Sequence, residues 1–153
     1  MSMTVEQRLQ VLEDIQEITA LKASYCNAAD GGWDRPSHDY DKVAALFVAD
    51  GVWDGGKVGR GEGQEGIRAL FKSFQRFPFA FHRITNPVIK VDRDTGTGEW
   101  HVLVPITIDD NQAVWIGGIY HDQFVRTLEG WKFKVLRFTP AFTSKNEQGW
   151  KVS

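Results

Sequence analysis

The 153-residue sequence predicts an α+β fold in which three amino-terminal helices pack on a strongly curved, mainly antiparallel sheet. Up to residue 74, apolar residues recur at three- and four-residue steps, as they do in amphipathic helices. From His82 onward, four runs rich in Val, Ile, Thr and aromatic residues alternate with short turns, as in a meander of antiparallel strands. Helices followed by a meander favour an α+β order over an alternating α/β one.

Each helix has a sequence signal of its own. Thr4 and Gln7 are spaced as in a capping box, and the apolar stripe that follows predicts a long helix ending at Asp30 before two glycines. The stripe consists of Val5, Leu9, Leu12, Ile15, Ile18, Leu21 and Tyr25. Further helices are predicted over residues 40–48 and 64–74, with a short strand at 51–54 between them. Residues 55–63 hold five glycines, so we expect a mobile loop there.

The strand-like runs cover residues 82–91, 98–108, 113–126 and 131–138, and their joints are short enough for direct antiparallel pairing. In the second run, every other residue from Trp100 to Ile108 is apolar, and the third run is apolar on both sides. Strands of this kind are covered on both faces of the sheet. Because three helices cover only one face, we expect a homo-oligomer, a dimer or a trimer, that covers the other.

Composition narrows the class of protein. The length fits a single domain over 1–153, with a core at about 6–141 and a carboxy-terminal tail at 142–153. The net charge of −2 leaves no basic surplus for nucleic acid. The sequence has one cysteine, which excludes an internal disulfide, and it has no apolar run that would span a bilayer. We therefore expect a cytoplasmic protein that does not bind membranes. The four histidines have no metal-ligand spacing, so neither a metal nor another cofactor is expected.

Short motifs accompany this order of elements. They are LFVADGVW at 46–53, HxxxNP at 82–87, GxYxDxFVR at 118–126 and GWK at 130–132. Together they resemble the SnoaL-like branch of the nuclear transport factor 2-like superfamily over about residues 6–141. The resemblance implies a cone-shaped SnoaL-like barrel around an apolar pocket that binds a small hydrophobic molecule. Because this fold hosts enzymes and binding proteins alike, function must be argued from the site.

Within that superfamily the sequence resembles the dehydratase-like members, namely scytalone dehydratase, bile acid 7α-dehydratase and hexachlorocyclohexane dehydrochlorinase. These enzymes place an aspartate near the end of the first helix and a histidine at the start of a strand, which Asp30 and His82 match. Tyr25 matches the tyrosine of the bile acid enzyme. The resemblance implies a cofactor-independent lyase that acts on a hydrophobic polycyclic or aromatic alcohol, with Asp30, His82 and Tyr25 as its catalytic residues.

Five further residues are predicted to contact the substrate. They are Trp53, Phe71, Asn86, His101 and Arg137. His101 is the candidate for a second polar group on the next strand, and Arg137 shares strand parity with Trp131, Phe133 and Val135, which predicts an inward arginine. Purely structural roles remain open for both groups of residues. Asp30 would be an ordinary helix-end or turn residue, His82 a hydrogen-bonded core or strand-edge histidine, and Tyr25 a core residue. Asn86 would shape a bulge, Arg137 would form a rim salt bridge, and Trp53 would pack in the core.

Two other functions fit the same fold. A ketosteroid isomerase-like enzyme would use Asp54 as a proton shuttle, which requires that Asp54 point into the pocket. A non-catalytic ligand-binding protein would have neither Asp54 nor the Asp30–His82 pair facing inward. Contact between Asp30 and His82 in an apolar pocket would favour the lyase.

Overall fold

The computed structural model describes residues 2–152, within which three α-helices pack on a strongly curled, mixed sheet of seven strands. The helices are α1 (Val5–Ala29), α2 (Tyr40–Ala45) and α3 (Gly63–Phe74). The strands are β1 (Phe47–Asp54), β2 (Arg60–Glu62), β3 (Phe79–Ala80), β4 (Arg83–Asp92), β5 (Thr95–Ile108), β6 (Gln112–Thr127) and β7 (Gly130–Lys145). The predicted α+β class is confirmed. None of the helices in this part of the chain combines the length and apolar character needed to cross a membrane.

The strands follow the order β2-β1-β7-β6-β5-β3, and β4 also pairs with β5. Strands β4 to β7 form the predicted antiparallel meander. In contrast, β1 lies parallel to β7, so the segment between α2 and α3 joins the sheet beside the last strand. The two-residue strand β3 has no counterpart among the predicted strands, because so short a run has no periodicity.

The amino terminus of α1 has the predicted capping box. Thr4 Oγ1 accepts from the Gln7 amide at 3.2 Å, and the Thr4 amide donates to Gln7 Oε1 at 2.9 Å. The apolar stripe, however, is buried only in its later part, since Val5, Leu9 and Leu12 are 74%, 55% and 63% exposed. The prediction is wrong for these first turns, because periodicity records an apolar face but not how far the partner surface extends.

Burial of α1 begins at Asp14, which fastens the helix to the sheet. Its two carboxylate oxygens each accept from one terminal nitrogen of Arg126 at 2.8 Å, and Oδ1 also accepts from Trp131 Nε1 at 3.1 Å. Bidentate arginine–carboxylate contacts are among the stronger hydrogen bonds in proteins. This contact therefore sets the position of α1 against β6 and β7.

Two segments are more ordered than the sequence predicts. β1 begins at Phe47, not at residue 51, and residues 55–63 form a tight hairpin in which β2 pairs with β1. Residues 142–145 extend β7 and pair with β6, so they do not begin a tail. In both cases pairing with a neighbouring strand outweighs the weak local preference of glycine and polar residues.

The two faces of the sheet differ. The predicted apolar face of β5 is buried against the helices, and its residues are at most 7% exposed. They are Trp100, Val102, Val104 and Ile106. On the opposite face, Leu103, Trp115 and Phe142 are 39%, 36% and 51% exposed in the single chain. That apolar outer face is the surface that the expected oligomer would cover, and the oligomer stays a prediction.

Candidate functional site

An apolar cavity lies between α1, α3 and the inner face of β5, β6 and β7. Its volume is about 70 Å³, room for a few water molecules. It is lined by Tyr25, Ala29, His38, Trp53, Val58, Phe71, Phe74, Phe77, His82, Val104, Ile106, Ile116, Tyr120 and Phe138. The polar atoms of this wall belong to two tyrosines, two histidines and one tryptophan. A mostly aromatic wall with a few placed polar groups is typical of small-molecule sites.

Asp30 and His82 meet in this wall. Asp30 Oδ1 accepts from the His82 backbone amide at 2.6 Å and contacts His82 Nδ1 at 2.7 Å. Both residues are buried, at 3% and 9% exposure. The carboxylate therefore holds both the backbone and the ring of His82.

The backbone brings the end of α1 to the sheet. Asp30 caps α1 in an extended conformation, with φ −76° and ψ 153°. The next residue, Gly31, pairs with Ala80 of β3 through two backbone hydrogen bonds of 3.0 and 3.1 Å. A Cβ atom on Gly31 would lie 2.5 Å from the Pro36 carbonyl oxygen, so this close approach requires glycine. His82 follows Ala80 by two residues and is thus placed against Asp30.

Asp30 also selects the tautomer of His82. An ionised carboxylate only accepts hydrogen bonds, so Nδ1 of His82 carries the proton that it donates to Asp30. In the neutral ring, Nε2 then keeps a free lone pair. Arg83 Nη1 lies 3.5 Å from the other carboxylate oxygen and compensates part of its charge. His82 therefore lines the cavity with a ring whose orientation is set by Asp30.

Tyr25, Trp53 and Phe71 come together beside His82, as the sequence predicts. Trp53 Nε1 donates to the Tyr25 hydroxyl oxygen at 2.9 Å, which leaves the hydroxyl proton of Tyr25 free for another acceptor. The Tyr25 ring lies 6.2 Å from the rings of both His82 and Phe71, in edge-to-face geometry. Burial raises the pKa of Tyr25, so its hydroxyl stays protonated.

His101 and Asn86, two of the predicted substrate contacts, lie outside the cavity. His101 is exposed on the outer face of β5, because it alternates with the buried Trp100 and Val102. Asn86 is exposed and has a φ of 55°, at the point where the pairing of β4 with β5 shifts register. Both placements correct the prediction, and Asn86 has the alternative role of shaping a bulge.

Arg137 also lies outside the cavity, because a bulge reverses the parity of β7. Phe133 pairs with Phe124 and Val135 pairs with Gln123, so Lys134 is an extra residue on β7. Beyond such a bulge every side chain changes face. Arg137 consequently lies on the outer face, and the expected inward arginine is wrong.

Asp54 does not line the cavity either. Its side chain accepts from the Gly56 amide at 3.0 Å and forms salt bridges to Arg60 at 2.9 Å and Arg137 at 3.5 Å. The hydrogen bond from Gly56 and the two cations hold the pKa of Asp54 below its usual range. This placement removes the requirement on which the isomerase interpretation depends.

Sequence reasoning missed His38, which also lines the cavity. His38 is 4% exposed and its Nδ1 lies 3.0 Å from Ser37 Oγ. Its backbone has a φ of 58°, a left-handed conformation that is uncommon outside glycine and asparagine. The residue follows Pro36 in a segment without periodicity, so no pattern distinguishes it from a surface histidine.

A buried ion pair lies behind the wall. Lys22 Nζ is 2.8 Å from Asp122 Oδ2, neither side chain is exposed, and Nζ lies 3.4 Å from the centre of the Tyr120 ring. Burial raises the pKa of Asp122 to about 6 and lowers the pKa of Lys22, and their mutual attraction opposes both shifts. Lys22 was not singled out from the sequence, although its spacing from Ile18 and Tyr25 is a signal that it lies on the same helix face as those residues.

Comparisons with known proteins point to one family. A model of the SnoaL-like domain matches residues 10–137. Uncharacterized proteins of Mycobacterium tuberculosis and Mycobacterium bovis are 30% identical to this chain over 125 residues, which cover 79% of this chain and 81% of theirs.

Solved structures share the architecture. A proposed aromatic ring hydroxylase from Novosphingobium aromaticivorans has a TM-score of 0.78 at 26% identity, covering 90% of this chain and 96% of that one. A type 3 hexachlorocyclohexane dehydrochlorinase from Novosphingobium barchaimii has a TM-score of 0.79 at 21% identity, covering 93% and 96%. A proposed scytalone dehydratase from Novosphingobium aromaticivorans has a TM-score of 0.77 at 19% identity, covering 93% and 92%. The last two likenesses concern the fold alone.

Proposed function

The chain belongs to the SnoaL-like domain family, and from its site we propose that it is a cofactor-independent lyase of the dehydratase type. The observation that carries this proposal is the 2.7 Å contact between Asp30 Oδ1 and His82 Nδ1 in the wall of an apolar cavity. A base that is oriented by a carboxylate and shielded from water suits removal of a proton beside a leaving hydroxyl. Two neighbours that share the fold are named as a dehydrochlorinase and a proposed dehydratase, so an elimination is the reaction class to test first.

In the proposed reaction, His82 Nε2 takes a proton from the carbon next to the one that bears the hydroxyl. The electrons of that C–H bond form the C=C bond, while the C–O bond breaks and the oxygen leaves with its electron pair. Tyr25 donates a hydrogen bond to the departing oxygen. The imidazolium of His82 then gives its proton to the departing oxygen. The products are an alkene and water, and the His82 ring is neutral again. Asp30 positions the ring and stabilises its protonated form.

The proposed substrate is a hydrophobic alcohol on an aromatic or polycyclic scaffold. Edge-to-face contacts with Phe71 and Trp53 suit a flat ring. Because the cavity measures only about 70 Å³, a ring-sized ligand requires the wall to open. Val58 lines the cavity, is 46% exposed and lies on the hairpin of residues 55–63. We propose that this hairpin is the lid.

A panel of β-hydroxy ketones on aromatic scaffolds tests the reaction, with the conjugated enone product followed by its absorbance. On the member that is turned over, His82→Ala and Asp30→Asn should each lower kcat by about 10²-fold or more. The first variant removes the base, and the second removes the charge that stabilises its protonated form. Circular dichroism of each variant should match the wild type, because neither side chain is part of the apolar core.

His101→Ala is the matched control, because His101 is exposed on the outer face of the sheet and its loss should leave kcat unchanged. Asp54→Asn tests the isomerase alternative and should also leave kcat unchanged. Full activity in His82→Ala would refute the proposed mechanism. Binding of the panel without turnover of any member would instead favour a non-catalytic ligand-binding protein.

A further inference from the structure

His38 is a second histidine of the cavity wall and is not part of the Asp30–His82 pair. Its ring packs among Phe71, Phe74 and Phe77, with ring centres 5.7 to 6.1 Å away. It is 4% exposed and lines the cavity. A polar ring enclosed by phenylalanines is costly unless its nitrogens are satisfied, so the partner of each nitrogen matters.

The hydrogen bonds of Ser37 determine which nitrogen of His38 carries the proton. Ser37 Oγ donates its single proton to the Phe77 carbonyl oxygen. It can therefore only accept from His38 Nδ1, at 3.0 Å, and Nδ1 must carry the proton. Nε2 is then an acceptor, and no donor within residues 2–152 hydrogen-bonds to it. An acceptor without a protein donor, on a residue that lines the cavity, points to a ligand that supplies the donor.

The backbone of His38 is fixed to the end of α1. The His38 amide donates to the Ala29 carbonyl at 3.0 Å, and the Asp39 amide donates to the Ala28 carbonyl at 2.8 Å. These bonds satisfy carbonyls that the helix end leaves free. They also hold His38 in its left-handed conformation, directly beside the residue that caps α1, Asp30. Sparsely populated conformations that the surrounding structure maintains are frequent at ligand sites.

The charge state of His38 agrees with an acceptor role. Burial, together with the nearby His82 and Arg76, lowers the pKa of His38 to about 3. The ring is thus neutral at the pH of the cell, and its Nε2 is not a proton donor.

We propose that His38 is a specificity-determining residue whose Nε2 accepts a hydrogen bond from a second hydroxyl of the ligand, such as a phenol. The proposal rests on the proposed function insofar as it deepens the substrate class from an alcohol to a phenolic alcohol. One hydroxyl leaves at His82 and Tyr25, and the other is held by His38. A ligand with an ether or a methyl group at that place leaves the acceptor unsatisfied and binds less well.

Phenol and toluene are the probes, because they differ only in the hydroxyl that His38 would recognise. Their Kd values are measured by NMR titration of the wild type and of His38→Asn. Asparagine tolerates the left-handed backbone, and its side-chain amide can replace the Nδ1 donor to Ser37, but it has no atom at the place of Nε2. We expect the variant to raise the Kd of phenol about fivefold and that of toluene less than about twofold. Equal changes for the two probes would overturn the proposal.

Nitrogen-15 NMR of the wild-type imidazoles provides a readout that no variant needs. His38 should be the neutral Nδ1–H tautomer at pH 7, and phenol but not toluene should shift its Nε2 signal. A proton on Nε2 in the free protein would overturn the proposal. Neither measurement depends on turnover, so a failed lyase assay leaves this result intact. Likewise, an active lyase with no phenol preference would reject the role of His38 alone.

Discussion

Removal of one charge from the buried Lys22–Asp122 pair should destabilise the protein, and the two single removals should have opposite pH dependence. The charged atoms lie 2.8 Å apart, and neither side chain is exposed. Lys22→Met leaves the buried Asp122 carboxylate without its cation, and Asp122→Asn leaves the buried Lys22 ammonium over the Tyr120 ring without its anion. A lone buried charge is relieved by a change of protonation: the carboxyl takes up a proton, and the ammonium loses one.

The cost of that neutralisation sets the magnitude. In Lys22→Met at pH 7, the folded protein must keep Asp122 protonated. Because pH 7 lies roughly 3 units above the ordinary carboxyl pKa of 3.8, this protonation costs about 4 kcal/mol at about 1.36 kcal/mol per unit. At pH 5 the cost is about 2 kcal/mol, because a carboxyl whose folded pKa is raised loses stability as the pH rises.

The other single variant has the reverse dependence. In Asp122→Asn at pH 7, the folded protein must keep Lys22 deprotonated. Because pH 7 lies roughly 3.5 units below the ordinary lysine pKa of 10.5, this deprotonation costs about 5 kcal/mol. At pH 9 the cost is about 2 kcal/mol, because a lysine whose folded pKa is lowered loses stability as the pH falls.

Urea unfolding at pH 5, 7 and 9 measures these free energies for the wild type, both single variants and the double variant Lys22→Met with Asp122→Leu. The double variant should recover most of the stability, because apolar side chains of similar volume often replace a buried ion pair at little cost. Single variants whose losses do not change with pH would refute the reasoning. So would a double variant that loses as much as both single variants together.

Two further predictions concern the outer surface and the lid. Light scattering of the wild type at micromolar concentration should give the mass of a dimer or trimer that buries more than roughly 1,000 Å². Leu103→Lys on the outer sheet face should reduce that mass to a monomer, while Leu128→Lys, on a fully exposed turn residue, should not; a monomeric wild type would contradict the prediction. In hydrogen exchange, amides of residues 55–63 should exchange more slowly when toluene is bound than in the free protein, because a lid would close over the ligand. Exchange rates there that do not change on binding would exclude a lid.

The end of α1 and the start of β4 show what sequence reasoning can achieve for the site. The resemblance pairs Asp30 with His82 across 52 positions of chain, and the structure has the two side chains in contact. Trp53 and Tyr25 were predicted in the same wall, where they share a hydrogen bond. Their catalytic and binding roles stay predictions until turnover is measured.

The positions of Arg137 and His38 depend on strand register and on long-range contacts, which no local sequence pattern predicts. The inward arginine expected at residue 137 failed because the extra residue Lys134 reverses the parity of β7. His38 lies in the cavity wall because its ring contacts Ser37 and its backbone amide binds the end of α1. The segment that holds His38 and the helix α1 share no periodicity, so the sequence did not predict this placement.

The order of helices and strands, the capping box at Thr4 and the meander after His82 were determined by the sequence alone. They depend on hydrophobic period and turn chemistry, which are properties of neighbouring residues. Only the tertiary structure decided that the first turns of α1 are exposed, that Lys22 is buried against Asp122 and that Arg137 faces outward. These outcomes depend on where distant surfaces end and on the register in which strands pair, and a one-residue shift of that register moves every following side chain to the other face.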